Sequence, residues 1–246
     1  MDFDKIDRLK VELDSLRPLP AAGVRNLDEI YRVEWTYNSN AIEGNTLTLL
    51  ETKLVLEEGL TIGGKKLREH FEVINHAEAI HYVKDIVNRE IALSEYVVKS
   101  IHQLLLRNID DENAGHYRTI NVGISGSKHM PPSYTAVPQQ MEQLIQWYTQ
   151  NKDHLHPIEL ATRLHFQFVY IHPFTDGNGR TARLLMNLVL MSYGFPPAIV
   201  KAESSVRLRY YETLEEASVH DNLNPFLHLI AECVEESLRK YISVVK

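Results

Sequence analysis

An all-α fold is predicted for this 246-residue chain by three observations. Apolar residues recur at helical spacing over most of the length. Glycine and proline interrupt that spacing only at short intervals, as they do between packed helices. Alternation of period two is confined to two brief glycine-marked segments, enough for hairpins and too little for a sheet.

Residues 5–16 place Ile6, Leu9, Leu13 and Leu16 on one face, which predicts an amphipathic opening helix stopped by Pro18 and Pro20. Asn26 reads as the N-cap of a second helix, with Asp28 and Glu29 in its first turn and Gly44 closing it. Leu27, Ile30, Tyr31, Trp35 and Ile42 share its apolar face. Residues 51–58 read as a short helix, residues 59–65 as a small hairpin turning at Gly63-Gly64, and a helix through His76 and Ile86 follows. A second hairpin is expected where Ile120, Val122 and Ile124 alternate with polar or small residues. Ser125-Gly126-Ser127-Lys128 supplies its turn, and Pro131-Pro132 ends the return strand. A helix over residues 158–171 leads to His172. Residues 181–193 leave it as a helix apolar on nearly all sides, which belongs at the centre of a core, and Gly194, Pro196 and Pro197 end it. Helices around residues 205–218 and 225–244 complete the domain.

The formal charge of −7 and the pI near 5.9 argue against a basic nucleic-acid face. The longest apolar run, around residues 184–191, is too short to span a bilayer, so no membrane partner is expected. The first residues show no basic region followed by an apolar block, so no secretory signal is expected. Cys233 is the only cysteine, which leaves no intrachain disulfide and no cysteine-based zinc site; a cytoplasmic, reducing location fits.

The chemistry concentrates in residues 172–183, His172-Pro173-Phe174-Thr175-Asp176-Gly177-Asn178-Gly179-Arg180-Thr181-Ala182-Arg183. Two glycines around an asparagine let backbone N–H groups converge at the start of a helix, a ready anion site that suits phosphate. Asp176 is a hard oxygen ligand suited to Mg²⁺ when phosphates supply the remaining ligands. Arg180 and Arg183 lie three residues apart on one helix and can fork onto neighbouring phosphates. At the mouth of the loop, a neutral His172 can take a proton from a hydroxyl. A tight interhelical turn around a core histidine would explain the glycines, but not Asp176 together with both arginines.

This segment resembles the Fic family signature, H-x-F-x-D/E-G-N-G-R-x-x-R, at every specified position. The resemblance implies transfer of AMP from Mg·ATP to a Tyr, Ser or Thr hydroxyl of a protein target, with pyrophosphate leaving. His172 would be the base and Asp176 the ligand of Mg²⁺ or Mn²⁺. Gly177, Asn178, Gly179, Arg180, Thr181 and Arg183 would hold the nucleotide. The fold implied is a Fic-type helical bundle with a short β-hairpin flap, an N-terminal helical lobe over residues 1–92 and the catalytic region over residues 93–246.

Further resemblances extend the reading. Gly115-His116-Tyr117-Arg118 and the second hairpin resemble the Fic flap, whose edge takes target peptides by strand addition; Val122, Ile124, Ser125 and Gly126 would form it. By its residues alone the hairpin reads first as a structural ribbon over the core. Ser39-Asn40-Ala41-Ile42-Glu43-Gly44 resembles the Fic inhibitory motif, S/T-x-x-x-E-G/N, in the subgroup that carries it in an N-terminal helix. Its carboxylate would pair with Arg183 in the place of the γ-phosphate. Arg207, Tyr210 and Tyr211 resemble the edge of the family's adenosine pocket, with Ser218 near a position often filled by asparagine. His220-Asp221-Asn222 departs there from the common Gly-Asp.

Rival readings stay open. Glu43 can orient a water for removal of AMP, another phosphate-containing group can be the one transferred, or the chain can be a shut ATP-sensing module. Self-modification and a homo-oligomer stay open as well. His220-Asp221 invites a metal-dependent HD phosphohydrolase reading, but the separate upstream histidine and downstream aspartate of that class are not found. His76, His81, His116, His129, His154 and His156 lack partners at zinc-ligand spacing and read as structural or surface groups.

Overall fold

The structure, a computed structural model, describes residues 2–246 apart from the side chain of Ala21. The described residues form ten α-helices and no strand. They are α1 (Asp4–Ser15), α2 (Ala21–Ile42), α3 (Leu49–Glu58), α4 (Leu67–Asn88), α5 (Glu95–Leu106), α6 (Val137–Asn151), α7 (Pro157–Ile171), α8 (Asn178–Ser192), α9 (Ser204–His220) and α10 (Asn224–Val245).

Helix α8 sits at the centre, as its all-round apolar composition requires. Leu184, Leu185, Met186, Leu188, Val189 and Leu190 are all buried, each worth about 1.5–3 kcal/mol of transfer free energy. Helices α7, α4 and α5 pack directly against α8, and α2 reaches it as well. Helix α1 lies on α10, which also touches α7 and α9. Buried residues on both sides of position 92, among them Trp35, Ile80, Val97, Phe168 and Leu185, belong to one core. Only Leu47, Val55 and Val73 form a separate small cluster, under α3 and α4.

Local chemistry explains most of the boundaries. Thr48 and Glu51 form a reciprocal capping box at the start of α3, and Gly59 ends that helix in the left-handed region at φ +65°. Helix α2 starts earlier than expected: Pro20 precedes it in an extended conformation, and Asn26 lies inside the helix instead of capping it. Helices α5 and α6 are absent from the sequence reading. Their signals are Ser94, whose Oγ accepts from the Val97 N–H at 3.4 Å, and Pro138 in the first turn of α6.

Neither expected hairpin forms a strand pair. Residues 119–133 contain one backbone turn bond, from the Ser127 N–H to the Ile124 carbonyl at 3.1 Å, and are otherwise fastened by side chains. A two-stranded ribbon is marginal without an apolar face to bury, and Ile120 and Met130 both point into solvent.

Candidate active site

The motif is built as a helix, a loop and a second helix. Helix α7 ends at Ile171, and His172 closes it in the left-handed region at φ 51°. The His172 Nδ1 faces the Val169 carbonyl at 3.3 Å. A carbonyl only accepts, so this contact puts the ring proton on Nδ1 and leaves Nε2 with its lone pair. Burial pushes the His172 pKa down to about 4; the Val169 contact opposes the shift and the nearby Arg118 cation adds to it. At neutral pH the imidazole is uncharged and able to accept a proton.

Loop residues 173–177 are held from inside. The Asn178 side chain accepts from the Phe174 N–H at 3.0 Å and donates to the Phe174 carbonyl at 2.8 Å. Phe174 stacks on His102 of α5, with ring centroids 3.6 Å apart and planes 3° from parallel. His102 Nδ1 accepts from the Gly115 N–H at 2.9 Å, so its Nε2 carries the proton that is donated to the Asp176 carbonyl at 2.9 Å. Gly177 adopts φ +77°, and a Cβ there would meet Leu106 at 3.0 Å and the His102 ring at 3.3 Å.

Helix α8 then opens with free donors. The N–H groups of Asn178, Gly179 and Arg180 have no hydrogen-bond partner among the described residues, and the helix dipole adds partial positive charge there. The arrangement suits an anion, and one already lies against it. Glu43 Oε1 sits so close to the Gly179 backbone that a Cβ on that residue would come within 2.3 Å of it. The same oxygen accepts from Arg183 Nη2 at 2.7 Å. Arg183 is 2% exposed and also bonds the Ser39 hydroxyl at 3.0 Å, the Ser39 carbonyl at 2.8 Å and the Tyr210 hydroxyl at 3.3 Å. Burial opposes its charge, but Tyr210 and Glu43 together raise its pKa above the ordinary value. Gly44, just past the end of α2, takes φ +97°, a turn that glycine makes without strain.

The two arginines of the motif face different ways. Arg180 turns from the cradle toward Asp176 Oδ1 at 3.2 Å and Glu72 at 3.6 Å, and is 2% exposed. Asp176 Oδ2 accepts from Arg68 of α4 at 2.6 Å, and Oδ1 also takes the Gly177 N–H. Burial by itself would raise the Asp176 pKa; Arg180, the Gly177 N–H and Arg68 together bring it below the usual carboxylate value. Asp176 is thus an ionised, half-exposed oxygen donor of the kind a hard divalent cation takes.

Other expected site residues lie elsewhere. Thr181 is fully buried and its hydroxyl donates to the Gly177 carbonyl at 2.9 Å, so it braces the helix start and offers no atom to the cradle. Tyr210 is 1% exposed, its hydroxyl held between His165 at 3.0 Å and Arg183; it supports the arginine and is closed to a ligand. Tyr211 is half-exposed beside Glu43's helix, with its hydroxyl on the Ile42 carbonyl at 3.0 Å and the Arg207 guanidinium over its ring. Ser218 donates to the Leu214 carbonyl and lines a separate cavity of about 620 Å³ with Trp147, Tyr170 and Ile171. Val122 and Ile124 are half-buried and Ser125 and Gly126 exposed, in the unpaired loop over residues 119–133. The sequence reading missed His102 and Arg68. A polar residue on the apolar face made by Val97, Val98, Ile101 and Leu105 is the one local signal for His102, and Arg68 leaves none.

The Fic/DOC family model matches residues 92–190. A protein adenylyltransferase Fic from Nematostella vectensis is 38% identical over 248 aligned residues, covering 99% of this chain and 57% of the relative. One from Culex quinquefasciatus is 34% identical, covering 98% and 47%, so this chain spans about half the length of the curated relatives it matches. Among solved structures, a Fic-domain signaling protein from Bacteroides thetaiotaomicron superposes with a TM-score of 0.91 at 30% identity, covering 98% of this chain and 96% of that one. Fic-1 from Caenorhabditis elegans superposes with a TM-score of 0.87 at 34% identity, covering 98% and 71%. With the motif loop leading into the free N–H groups at the start of α8, these matches show that the chain belongs to the Fic/DOC family.

Proposed function

We propose that this chain is a protein adenylyltransferase that transfers AMP from ATP to a hydroxyl of a protein target, and that Glu43 holds it shut. One observation carries the reading: an internal carboxylate lies on the Gly179 backbone and on Arg183, where a phosphate would otherwise bind. The relatives' names as adenylyltransferases support the reaction type.

The three free N–H groups of Asn178, Gly179 and Arg180 would hold phosphate oxygens, and Arg183 would hold the terminal phosphate once Glu43 has left it. Asp176 is the carboxylate that would hold Mg²⁺ or Mn²⁺, which when bound neutralises phosphate charge. For that, the Arg68 contact on Oδ2 must open. Nε2 of His172 takes the proton of the target hydroxyl, the oxygen bonds to the α-phosphorus, and the bond from that phosphorus to the bridging oxygen of pyrophosphate breaks. Catalysis of this kind is mostly positioning and charge stabilisation. Tyr211, half-exposed with its hydroxyl on the Ile42 carbonyl, is the aromatic that would meet the nucleoside. The exposed loop over residues 119–133 would take the target backbone. The single buried cysteine suits a reducing compartment.

Purified protein incubated with a candidate target and ATP labelled at the α- or γ-phosphate tests the reading. Protein-bound α-label supports it. Protein-bound γ-label assigns phosphate transfer, release of α-label from pre-modified target assigns the removal reaction, and nucleotide binding with no label on protein leaves a sensing module.

A further inference from the structure

Arg118 immediately precedes the 119–133 loop, is 3% exposed, and makes all its hydrogen bonds to backbone carbonyls. Nε donates to the His172 carbonyl at 2.9 Å, Nη1 to the Ile120 carbonyl at 2.9 Å, and Nη2 to the Pro132 carbonyl at 2.5 Å. Its own N–H donates to the Pro173 carbonyl at 2.9 Å. One planar fork therefore joins both ends of the loop to the residue that bears the base. The far end is fixed separately. Glu215 of α9 accepts from the Lys128 N–H at 2.7 Å and from the Ser127 hydroxyl, and His129 pairs with the Tyr170 carbonyl at 2.8 Å. Between these anchors the N–H groups of Val122, Gly123 and Ile124 have no partner among the described residues.

We propose that Arg118 is the positioning residue of this loop: its guanidinium replaces the missing strand pairing and holds the free backbone edge at a set distance from the His172 imidazole. The proposal rests on the transfer reading for its consequence, and on the contacts above for its structure. Beside this fork, one other hydrogen bond joins the two ends of the loop, from the Tyr134 N–H to Asn121 Oδ1 at 2.9 Å, and no backbone ladder backs either of them. Three carbonyls on three segments need three donors, one on each nitrogen of a rigid plane. Lysine keeps the charge but not the fork.

The test uses Arg118→Lys and Arg118→Met, each alone and in a Glu43→Gly chain. Backbone hydrogen exchange followed by mass spectrometry is the first readout, with no activity required. Both variants are expected to exchange roughly 10-fold or more faster over residues 119–133 while peptides from α7 and α8 keep their protection. The second readout is AMP transfer to a protein target. Both variants are expected to raise the KM for the target with ATP binding unchanged, a loss of docking rather than of the nucleotide site. Unchanged exchange in the loop overturns the proposal. So does full rescue by Arg118→Lys, which would make charge and not the fork the active property, or cooperative loss of helical signal at assay temperature, which would make Arg118 a general core brace. If the Glu43→Gly chain with Arg118 intact transfers no AMP, the transfer reading fails while the exchange result still decides the clamp.

Discussion

Replacing Glu43 by glycine is expected to raise AMP transfer by about 10- to 100-fold while the fold persists. Two unit charges 4 Å apart attract by about 4 kcal/mol at an effective dielectric constant near 20, before desolvation is subtracted. Arg183 is buried, but the Glu43 side chain keeps 33% of its surface in water, so the pair lies between two measured limits. Exposed pairs are worth about 0.2–1 kcal/mol, and breaking a fully buried one costs about 3–5 kcal/mol. An intermediate value of about 1–3 kcal/mol is the part a triphosphate must overcome to reach Arg183, and it corresponds to a factor of about 5–150. The fold should lose less. Without Glu43, Arg183 still donates to the Ser39 hydroxyl, the Ser39 carbonyl and Tyr210, so unfolding should move down by about 2–4 °C for each kcal/mol lost. The assay is incorporation of α-labelled phosphate into a target and into the protein itself, beside a thermal scan and ATP titration. A Glu43→Gly chain that also carries Arg183→Ala should lose the gain, because the freed arginine is what orients the terminal phosphate. Equal incorporation by the parent and Glu43→Gly would refute the latch and leave the 2.7 Å contact as a structural ion pair.

His172→Ala should lower transfer by about 10²–10⁴-fold with ATP affinity nearly intact; simultaneous loss of binding would make His172 a nucleotide ligand instead of a base. Since the His172 pKa is depressed to about 4, kcat/KM should stay level from neutral pH down to about 5 and fall only as pH drops through about 4; a midpoint near 6.5 would contradict the buried, neutral ring. Stability should fall earlier. His102 and His165, held by burial near about 4 and about 3, and His76, also depressed, are neutral in the folded chain, whereas the unfolded chain binds protons at about 6.5. Their contribution is therefore present above about 6.5 and lost as pH falls toward the folded pKa, on the order of 1–2 kcal/mol at pH 5 for each of His102 and His165. Urea midpoints that do not change between pH 7 and 5 would exclude it. Asp176→Ala should abolish the stimulation by Mg²⁺, and Arg68→Met should lower the Mn²⁺ concentration for half-maximal binding in the presence of ADP; activity undiminished by excess chelator would remove the metal from the scheme. Val122→Pro removes one of the free donors of the 119–133 loop and should weaken modification of a folded target without affecting ATP binding; unchanged modification would leave the loop a structural cover.

Much of this architecture is legible in the residues because its causes are local. The apolar run after Arg180 forces α8 inward, and the Gly-Asn-Gly turn with its flanking charges declares an anion cradle before any helix is placed. Ser39 and Glu43 stack on one helix edge because they are four residues apart. Other expectations failed where a local pattern needed a tertiary partner. Alternation at Ile120, Val122 and Ile124 predicts a ribbon, but Ile120 lies in solvent, Val122 and Ile124 are only half-buried, and no ladder forms. Tyr210 sits at helical spacing beside Tyr211, yet one ring is sealed under Arg183 and the other faces water, which depends on where α9 meets α8 and α2.

By itself, then, the sequence determined the helical class, the family resemblance and the loop that carries the proposed base His172 and the proposed metal carboxylate Asp176, since each rests on residues close together in the chain. Only the tertiary structure decided which partners those groups have. It set Glu43 on Arg183 across 140 positions, Arg68 on Asp176 across 108, and Arg118 on the carbonyl of His172 across 54. Contacts over such separations arise from how helices pack around α8, and no period or spacing in the chain encodes which two faces will meet.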